Sequence, residues 1–516
     1  MPARILIIIK GTALVERYGV MMLAAVLRRA GHDVRLVRAQ NVAWEELRAE
    51  VERFEPAALL YSSMTGEHQY LLALNRRLKE TYPGVVVFGG PHATFFPEML
   101  AEEGVDAVCI GEGEGAAVDL ADALAAGRDW TATSNLWVKR RGAVIKNDVR
   151  PLVADLDGLP FADRELLYAG DPALRDHPTK IFFAMRGCVF RCTYCFNHRY
   201  NDLYRGRGRI CRTRSVENFL AEIKYVRARW PLSYMQVDDD TFLLHRREWL
   251  EEFAARLPAE VGLGFMCNVR VDLVNAATVR LLRAAGCHAV WLGVECGDAA
   301  VRRDLLKRTH TDAEIIAAAR LLRRHGIRVA TQNLCGLPVP DPVAVDEKTL
   351  ALNLACRPDF AWSSIFYPYP RTELGDVAVA GGYYDGSLGD VPETNKINSL
   401  LSWGDERVRW RVENLHKFFG VATEFPFLRP LVRALIKFKP NRLFVLVFFL
   451  WYGFCWKTRI ENINFTPKTV YALLKTFVTY LGGVKEFRRG RAAPAHGTAG
   501  AAPFSPSSRG AGTGEG

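Results

Sequence analysis

The stretch "AMRGCVFRCTYCFN" (184–197) sets Cys188, Cys192 and Cys195 with three residues in the first gap and two in the second. Thiolates so closely spaced hold metal. A structural zinc site takes four closed ligands, usually as two paired motifs, whereas here one cluster of three stands alone and Cys211 lies downstream in a basic loop. Zinc is a poor fit. Three thiolates in a tight loop suit three irons of a [4Fe–4S] cluster and leave the fourth iron open. An open iron can bind a substrate and reduce it.

Elements must place that loop. The cysteines follow an apolar run at 181–185, the first of six strand candidates that continue at 234–237, 262–267, 289–294, 327–334 and 360–366. Helical patterns fall between them at 216–229, 247–257, 276–285 and 313–324. Six strand–helix units in succession predict a parallel barrel or partial barrel with its active face at the strand C-terminal ends.

An earlier series alternates in the same way. Short β-branched runs at 5–9, 34–37, 59–61, 85–88 and 105–110, with amphipathic stretches at 20–30 and 70–81, predict a doubly wound, mostly parallel sheet that binds ligands at its strand C-termini. Glycines sit where that rule wants them: "FGGPHATF" brings Gly89 and Gly90 after the fourth run, and "IGEGEG" brings Gly111 and Gly113 after the fifth. Small residues there admit a bulky ligand and leave backbone N–H groups free for it. A hairpin-like pair at 135–139 and 143–146 leads into a linker marked by Pro151 and Pro160.

Composition sets the outer limits. With 516 residues, 49% hydrophobic and 24% charged, the chain is globular and large enough for two or three domains. Eleven cysteines, odd in number and unevenly spread, do not form a disulfide framework and point to a reducing cytoplasm. The five-residue run at 5–9 is too short for a signal-peptide core and reads as a buried strand. Net charge is +11, and much of the excess is local: Arg186, Arg191, Arg199, Arg205, Arg207, Arg209, Arg212 and Arg214 face the single acid Asp202. As a rim these guanidinium groups would bind an anionic or phosphorus-containing substrate; as a solvated loop they would bind nothing. No nucleic-acid recognition module occurs, so nucleic acid is not expected as a partner. The apolar run "LFVLVFFLWY" (443–452) is shorter than a spanning helix needs and reads first as a helix docked on the barrel, with weak membrane-surface contact through 443–456 as the second reading.

Cys188, Cys192 and Cys195, with Tyr194 just before the last cysteine, resemble the signature of the radical S-adenosylmethionine (SAM) enzymes, C-x3-C-x2-C with an aromatic residue at that place. "QVDDDTF" (236–242), "NVRVD" (268–272), "GVECG" (293–297) and "NLCGLP" (333–338) resemble later strand ends of that superfamily, which implies that Tyr194, Asp239, Asn268, Arg270, Glu295 and Gln332 line the SAM site. A doubly wound domain with "GGPHATFFPE" and "GEGE" upstream is similar to the cobalamin-binding radical SAM group, the methyltransferase-like class. That resemblance places Gly89, Gly90, His92, Gly111, Glu112 and Gly113 beside cobalamin. No D-x-H-x-x-G motif occurs, so His92 reads as loop filling rather than a cobalt ligand, and the lower face of cobalt is expected free of histidine. The implied fold class is α/β: a Rossmann-like cobalamin-binding domain at 1–148, a linker at 149–175, a partial (β/α)6 radical SAM barrel at 176–385, a mainly helical C-terminal region at 386–490 and a disordered tail at 491–516.

The implied cofactors are a [4Fe–4S] cluster, SAM and cobalamin. The implied reaction begins with electron transfer to SAM, whose 5′-deoxyadenosyl radical removes a hydrogen atom from a small-molecule substrate. Methylcobalamin then delivers its methyl group to an unactivated carbon, or to phosphorus, of a biosynthetic intermediate in natural-product, for example antibiotic, biosynthesis. A flavodoxin or ferredoxin is the expected electron donor. Three alternatives fit the same residues: a cyclisation or rearrangement without methyl transfer, a cobalamin-free radical SAM enzyme with an N-terminal interaction module, and a non-enzymatic iron–sulfur or zinc scaffold.

Overall fold

The computed structural model describes residues 1–11, 16–389, 391 and 397–461. The expected tail at 491–516 and the end of the C-terminal region, 462–490, lie outside the described residues.

Ile5 to Ile9 is apolar at every position, so it has no wet face, and it forms β1 (Arg4–Ile9), buried on both sides. β2 (Asp33–Arg38), β3 (Ala58–Ser62), β4 (Val85–Gly89) and β5 (Ala107–Cys109) join it in parallel in the order β2-β1-β3-β4-β5. The hairpin β6 (Leu136–Arg140) and β7 (Ala143–Lys146) extends the β5 edge antiparallel. The chain leaves β1 on one side for β2 and returns on the other for β3, so the ligand crevice of a doubly wound sheet opens at the C-terminal ends of β1 and β3. The fifth run is shorter as a strand than its apolar pattern at 105–110 suggested, because only Ala107 to Cys109 pair.

A second sheet begins at β8 (Thr179–Phe182). β9 (Met185–Arg186) and β10 (Arg212–Thr213) then pair antiparallel with each other outside it. β11 (Tyr234–Val237), β12 (Gly264–Arg270), β13 (Cys287–Glu295), β14 (Arg328–Cys335) and β15 (Phe360–Ile365) follow β8 in sequence order, all parallel, with helices packed on the outer face over Phe219, Phe253, Leu282 and Leu322. β15 and β8 are the two edges of this sheet, so it is a half-barrel and not a closed ring.

The open inner face is closed from the C-terminal side. Met266, Ala289, Ala330 and Phe360 pack with Cys455 and Ile460, and Tyr452 lies 4.8 Å from Trp362 and 5.9 Å from Phe360 between ring centroids. The helix responsible, Arg442–Cys455, starts at an Asn441 side-chain cap on the Phe444 amide and continues in a wider turn over Trp456–Ile460. By length and composition these 19 residues reach a membrane span, yet Phe444, Phe448 and Cys455 are buried against protein. Burying each phenylalanine contributes about 1.5–3 kcal/mol. Beyond the helix, Lys457 Nζ lies 3.3 Å from His177 Nε2, just before β8, and Arg459 donates to the Asp359 carbonyl at 2.8 Å, just before β15. Two cations therefore tie the segment to both edges of the sheet.

A buried ion network fastens the first domain to the half-barrel. Arg164, in the linker, donates to Glu16 at 2.8 Å and to the Ile181 carbonyl on β8 at 2.6 Å, and lies 3.6 Å from Glu222. Glu16 accepts the Ile181 N–H at 2.8 Å, and Arg214 also pairs with Glu222. Removing the central cation leaves Glu16 and Glu222 deprived of it in a dry site. Arg164→Met should therefore lower unfolding free energy by about 3–5 kcal/mol in a denaturant titration, and a loss under about 1 kcal/mol would contradict this role.

Candidate functional site

The cysteine loop is closed at its base like a hairpin. Arg212 pairs with Arg186 and Thr213 with Met185, so residues 187–211 project from one two-stranded stem. Gly187 turns out of β9 with φ +92°, where any Cβ would strike the Ile210 carbonyl. Asp239 fixes the approach: one oxygen accepts the Ala184 and Met185 amides at 2.8 and 2.9 Å, and the other meets His245 Nε2 at 2.9 Å. Fully buried, the Asp239 carboxylate is taken up by the backbone that leads into the loop, while its neighbour Asp238 stands with Gln236 at 3.2 Å and Asn268 at 3.5 Å.

Within the loop Cys188 and Cys192 are buried and Cys195 is half-buried, with the Cys195 amide turned back on the Cys192 carbonyl at 3.1 Å. Burial pushes the Cys188 thiol up and the Cys195 thiol up to about 12, and the neighbouring thiols add to the shift, so a bound metal must displace their protons. Cations wait beside the sulfurs. Arg270 donates to Cys192 Sγ at 3.1 Å while its guanidinium lies over the Phe190 ring and pairs with Asp272 at 3.0 Å. Arg308, which the sequence did not single out, donates to the Tyr194 hydroxyl at 3.0 Å and to the Gly293 carbonyl at 2.7 Å, and stands 3.4 Å from Glu295. Glu295 itself sits at φ +66° at the end of β13, a strained conformation for a side-chain-bearing residue, and burial raises its carboxyl. Arg270, Gly293, Gln332 and Trp362 pair across adjacent strands at one level. Asn268 lies two residues earlier, donating to the Asp239 carbonyl at 3.0 Å.

This donor set suits a multi-iron cluster. Among the described residues no three His, Cys, Asp or Glu side chains converge as a cage for one ion. A [4Fe–4S] cluster asks for something else, thiolates on separate irons with positive charge near their sulfurs, and Cys188, Cys192 and Cys195 with Arg270 provide it. Polar groups that lack a partner also remain here: both ring nitrogens of the buried His310, two residues beyond Arg308, and Arg308 Nε.

The first domain meets the loop directly. Glu112, in the turn after β5, accepts from Arg212 at 2.8 Å, from Arg186 at 3.1 Å and from the Val153 amide at 2.8 Å, and Glu114 pairs with Arg186 at 2.7 Å. The Glu112 amide donates to the Tyr204 hydroxyl at 2.8 Å, and the Gly111 amide donates to Thr94. At Gly111, φ +79°, a Cβ would collide with that tyrosine hydroxyl. The N–H groups of Gly111 and Glu112, expected to be free for a ligand, are thus engaged by protein. Gly89 ends β4, Gly90 opens the short helix Gly90–Phe95, and Gly113 precedes the helix Glu114–Ala125. His92, buried in that short helix, stacks on His68 at 3.8 Å and on Phe96 at 4.9 Å, and shares a 3.0 Å hydrogen bond with Thr65. Phe95 stacks on Phe196, the residue after Cys195, at 4.3 Å. An aromatic row therefore runs from the edge of the first sheet to the cysteines. Small, neutral groups at that edge suit the flat face of a corrin ring.

The arginines of the rim are mostly paired with carboxylates. Arg191 and Arg205 pair with Asp202, Arg199 with Asp376, Arg207 with Asp148, Arg214 with Glu222, and Arg186 and Arg212 with Glu112. Five of these seven guanidinium groups are neutralised by acids outside 186–214, which the local sequence does not show, and two bind Asp202 within it; Arg209 is exposed with no carboxylate drawn to it among these pairs.

Comparison with known proteins agrees with this geometry. Residues 5–121 match the B12 binding domain family and residues 183–344 the Radical SAM superfamily. An uncharacterized methyltransferase of Pyrococcus horikoshii is 26% identical over 369 residues, 70% of this chain and 78% of that one. The hopanoid C-3 methylase of Methylococcus capsulatus is 27% identical over 383 residues, 69% of this chain and 68% of that one. Among solved structures, the radical SAM methyltransferase TsrM from Kitasatospora setae with cobalamin and a [4Fe–4S] cluster bound superposes with a TM-score of 0.59 at 19% identity, over 74% of this chain and 78% of that one. The cobalamin-dependent radical enzyme OxsB with aqua-cobalamin and SAM bound reaches 0.63 at 14% identity, over 96% and 82%.

The stacked histidines make a prediction for the protein free of cofactors. Burial lowers His92 to about 3 and His68 to about 4 from an ordinary 6.5, so the unfolded chain takes up protons that the folded one refuses. Their contribution is intact above the unfolded value and is lost as pH falls from there toward 4 and then 3. The denaturation midpoint should drop between pH 7.5 and 5, and drop less in His68→Phe; equal pH sensitivity in the two proteins would contradict this. With a three-cysteine loop clamped between them, residues 5–121 belong to the B12 binding domain family and residues 183–344 to the Radical SAM superfamily, and the cofactors of the chain are a [4Fe–4S] cluster, SAM and cobalamin.

Proposed function

We propose that this enzyme transfers a methyl group from cobalamin to a carbon of a small apolar molecule, as a tailoring step on a biosynthetic intermediate. The observation that carries the reading is the Glu112 carboxylate, which joins the turn after β5 to both flanks of the cysteine loop, so that cobalamin and cluster would face one cavity. The names of the two relatives, a methyltransferase and a hopanoid methylase, support methyl transfer over cyclisation or rearrangement. The match to the B12 binding domain supports cobalamin over an interaction module.

When bound, the cofactors supply the reducing electron, the radical source and the transferable methyl group. The chain's own residues hold and orient. Cys188, Cys192 and Cys195 ligate the cluster, and Arg270 offsets thiolate charge at Cys192. Tyr194, Arg308 and Glu295 brace the wall beside it, while Asn268, Gln332 and Arg270 face SAM from the strand ends. Gly89, Gly90, His92, Gly111 and Gly113 back the cobalamin, whereas Glu112 and Asp239 are positioning residues. An apolar substrate is favoured because the arginines near the loop are already paired and Trp362 stands level with Arg270 and Gln332. All eleven cysteines are free, which suits a reducing compartment and a flavodoxin- or ferredoxin-like donor.

Two measurements test this reading. Given SAM labelled in its methyl group, the reconstituted protein should move label to the bound corrinoid and then, with a hopane-type triterpene as probe acceptor, to product. Cleavage of SAM with all label remaining in methionine would favour rearrangement instead. Arg270→Met should keep its iron content and slow SAM cleavage by about 10–100-fold, as loss of a partner of a metal ligand does; an unchanged rate would remove Arg270 from the site.

A further inference from the structure

The helix Arg442–Cys455 is apolar on nearly every side but buried on only one. Phe444, Phe448 and Cys455 face protein, whereas Leu443, Leu450 and Phe454 are 65%, 61% and 48% exposed. Their spacing, i, i+7 and i+11, lines them along one stripe. A helix that is apolar all round is ordinarily enclosed, in a core or by lipid. At the start of the stripe, the segment entering the helix carries Phe438, 61% exposed, between exposed Lys437 and Lys439, and exposed Arg442 opens the helix. Arg433, Lys457 and Arg459 pair with Glu347, Glu461 and Glu424, whereas no carboxylate among the described residues forms an ion pair with Lys437, Lys439 or Arg442. From Phe425 to Ile460 the chain has seven Lys or Arg and no Asp or Glu.

We infer that this face docks the enzyme on an anionic lipid bilayer. The stripe enters the boundary between headgroups and acyl chains, and Lys437, Lys439 and Arg442 meet lipid phosphates. Charge selects the occupant: two copies of this face would set cations against cations, whereas anionic headgroups neutralise them. The buried side of the same helix reaches Trp362 through Phe448 at 5.7 Å and Tyr452 at 4.8 Å. The bilayer-facing helix is therefore also the wall of the half-barrel. This fits an apolar substrate but does not depend on methyl transfer, because lipid binding is read without SAM or acceptor.

Full-length protein should co-sediment with phosphatidylcholine vesicles containing about one-third phosphatidylglycerol, less with pure phosphatidylcholine, and less as salt rises. Substituting Lys437, Lys439 and Arg442 by Gln should lower affinity about a hundredfold, at about fivefold per cation. Leu450→Ser with Phe454→Ser should weaken binding while leaving circular dichroism and thermal unfolding unchanged. Failure to bind anionic vesicles, or binding that all these variants retain, would overturn the inference. So would a concentration-dependent dimer that Leu450→Ser abolishes, since a second copy would then own the face.

Discussion

Glu112 accepts hydrogen bonds from Arg212, Arg186 and the Val153 amide with a side chain almost withdrawn from water. A carboxylate so placed is tolerable only while its cations stay, because an unpaired charge in a dry seam costs several kcal/mol. The cations are the two sides of the stem that carries Cys188, Cys192 and Cys195. Turn and loop are thus fixed by one interaction. Tyr204, from the same loop, enters the core of the first domain and takes the Glu112 amide, so apolar burial and ion pairing hold the same register. The result is preorganisation: one carboxylate holds the sheet edge and the cysteine loop in a fixed relation.

The half-barrel solves a second constraint. A six-stranded parallel sheet with an uncovered inner face exposes apolar surface, and the first domain meets it at the edge strand β8 and at the cysteine loop. The helix Arg442–Cys455 covers the rest, with Tyr452 and Trp456 against Trp362 and Trp291, and Lys457 and Arg459 reaching the two edge strands. Gly420 makes room for it, since a Cβ there would press on the Trp451 indole. A wall built of aromatic rings leaves polar recognition to the strand ends, where Arg270, Gln332 and Asn268 stand.

Much of this was legible in the sequence. Apolar β-branched runs located the strands of both sheets because parallel strands are buried on two faces and lose the alternation that would blur them. Cysteine spacing located the loop because the thiols are local to one turn. What sequence order hides is pairing between distant residues. The eight arginines after Met185 looked unopposed because Glu112, Asp148, Glu222 and Asp376 lie far from most of them along the chain. Within "DDD" nothing distinguishes Asp239, which anchors backbone, from Asp238, because adjacent residues on a strand end point to opposite sides. Arg308 lay in an unremarkable charged turn, and only the fold brings it beside Cys192 and Glu295.

The central claim is that one seam holds both the cluster and cobalamin. Its most direct test is anaerobic reconstitution with iron, sulfide and cobalamin, followed by electron paramagnetic resonance of the reduced protein. The account predicts one cluster and one cobalamin per chain, with the cob(II)alamin and reduced-cluster signals broadening each other. Loading of only one of the two, or two signals that simply add, would contradict it.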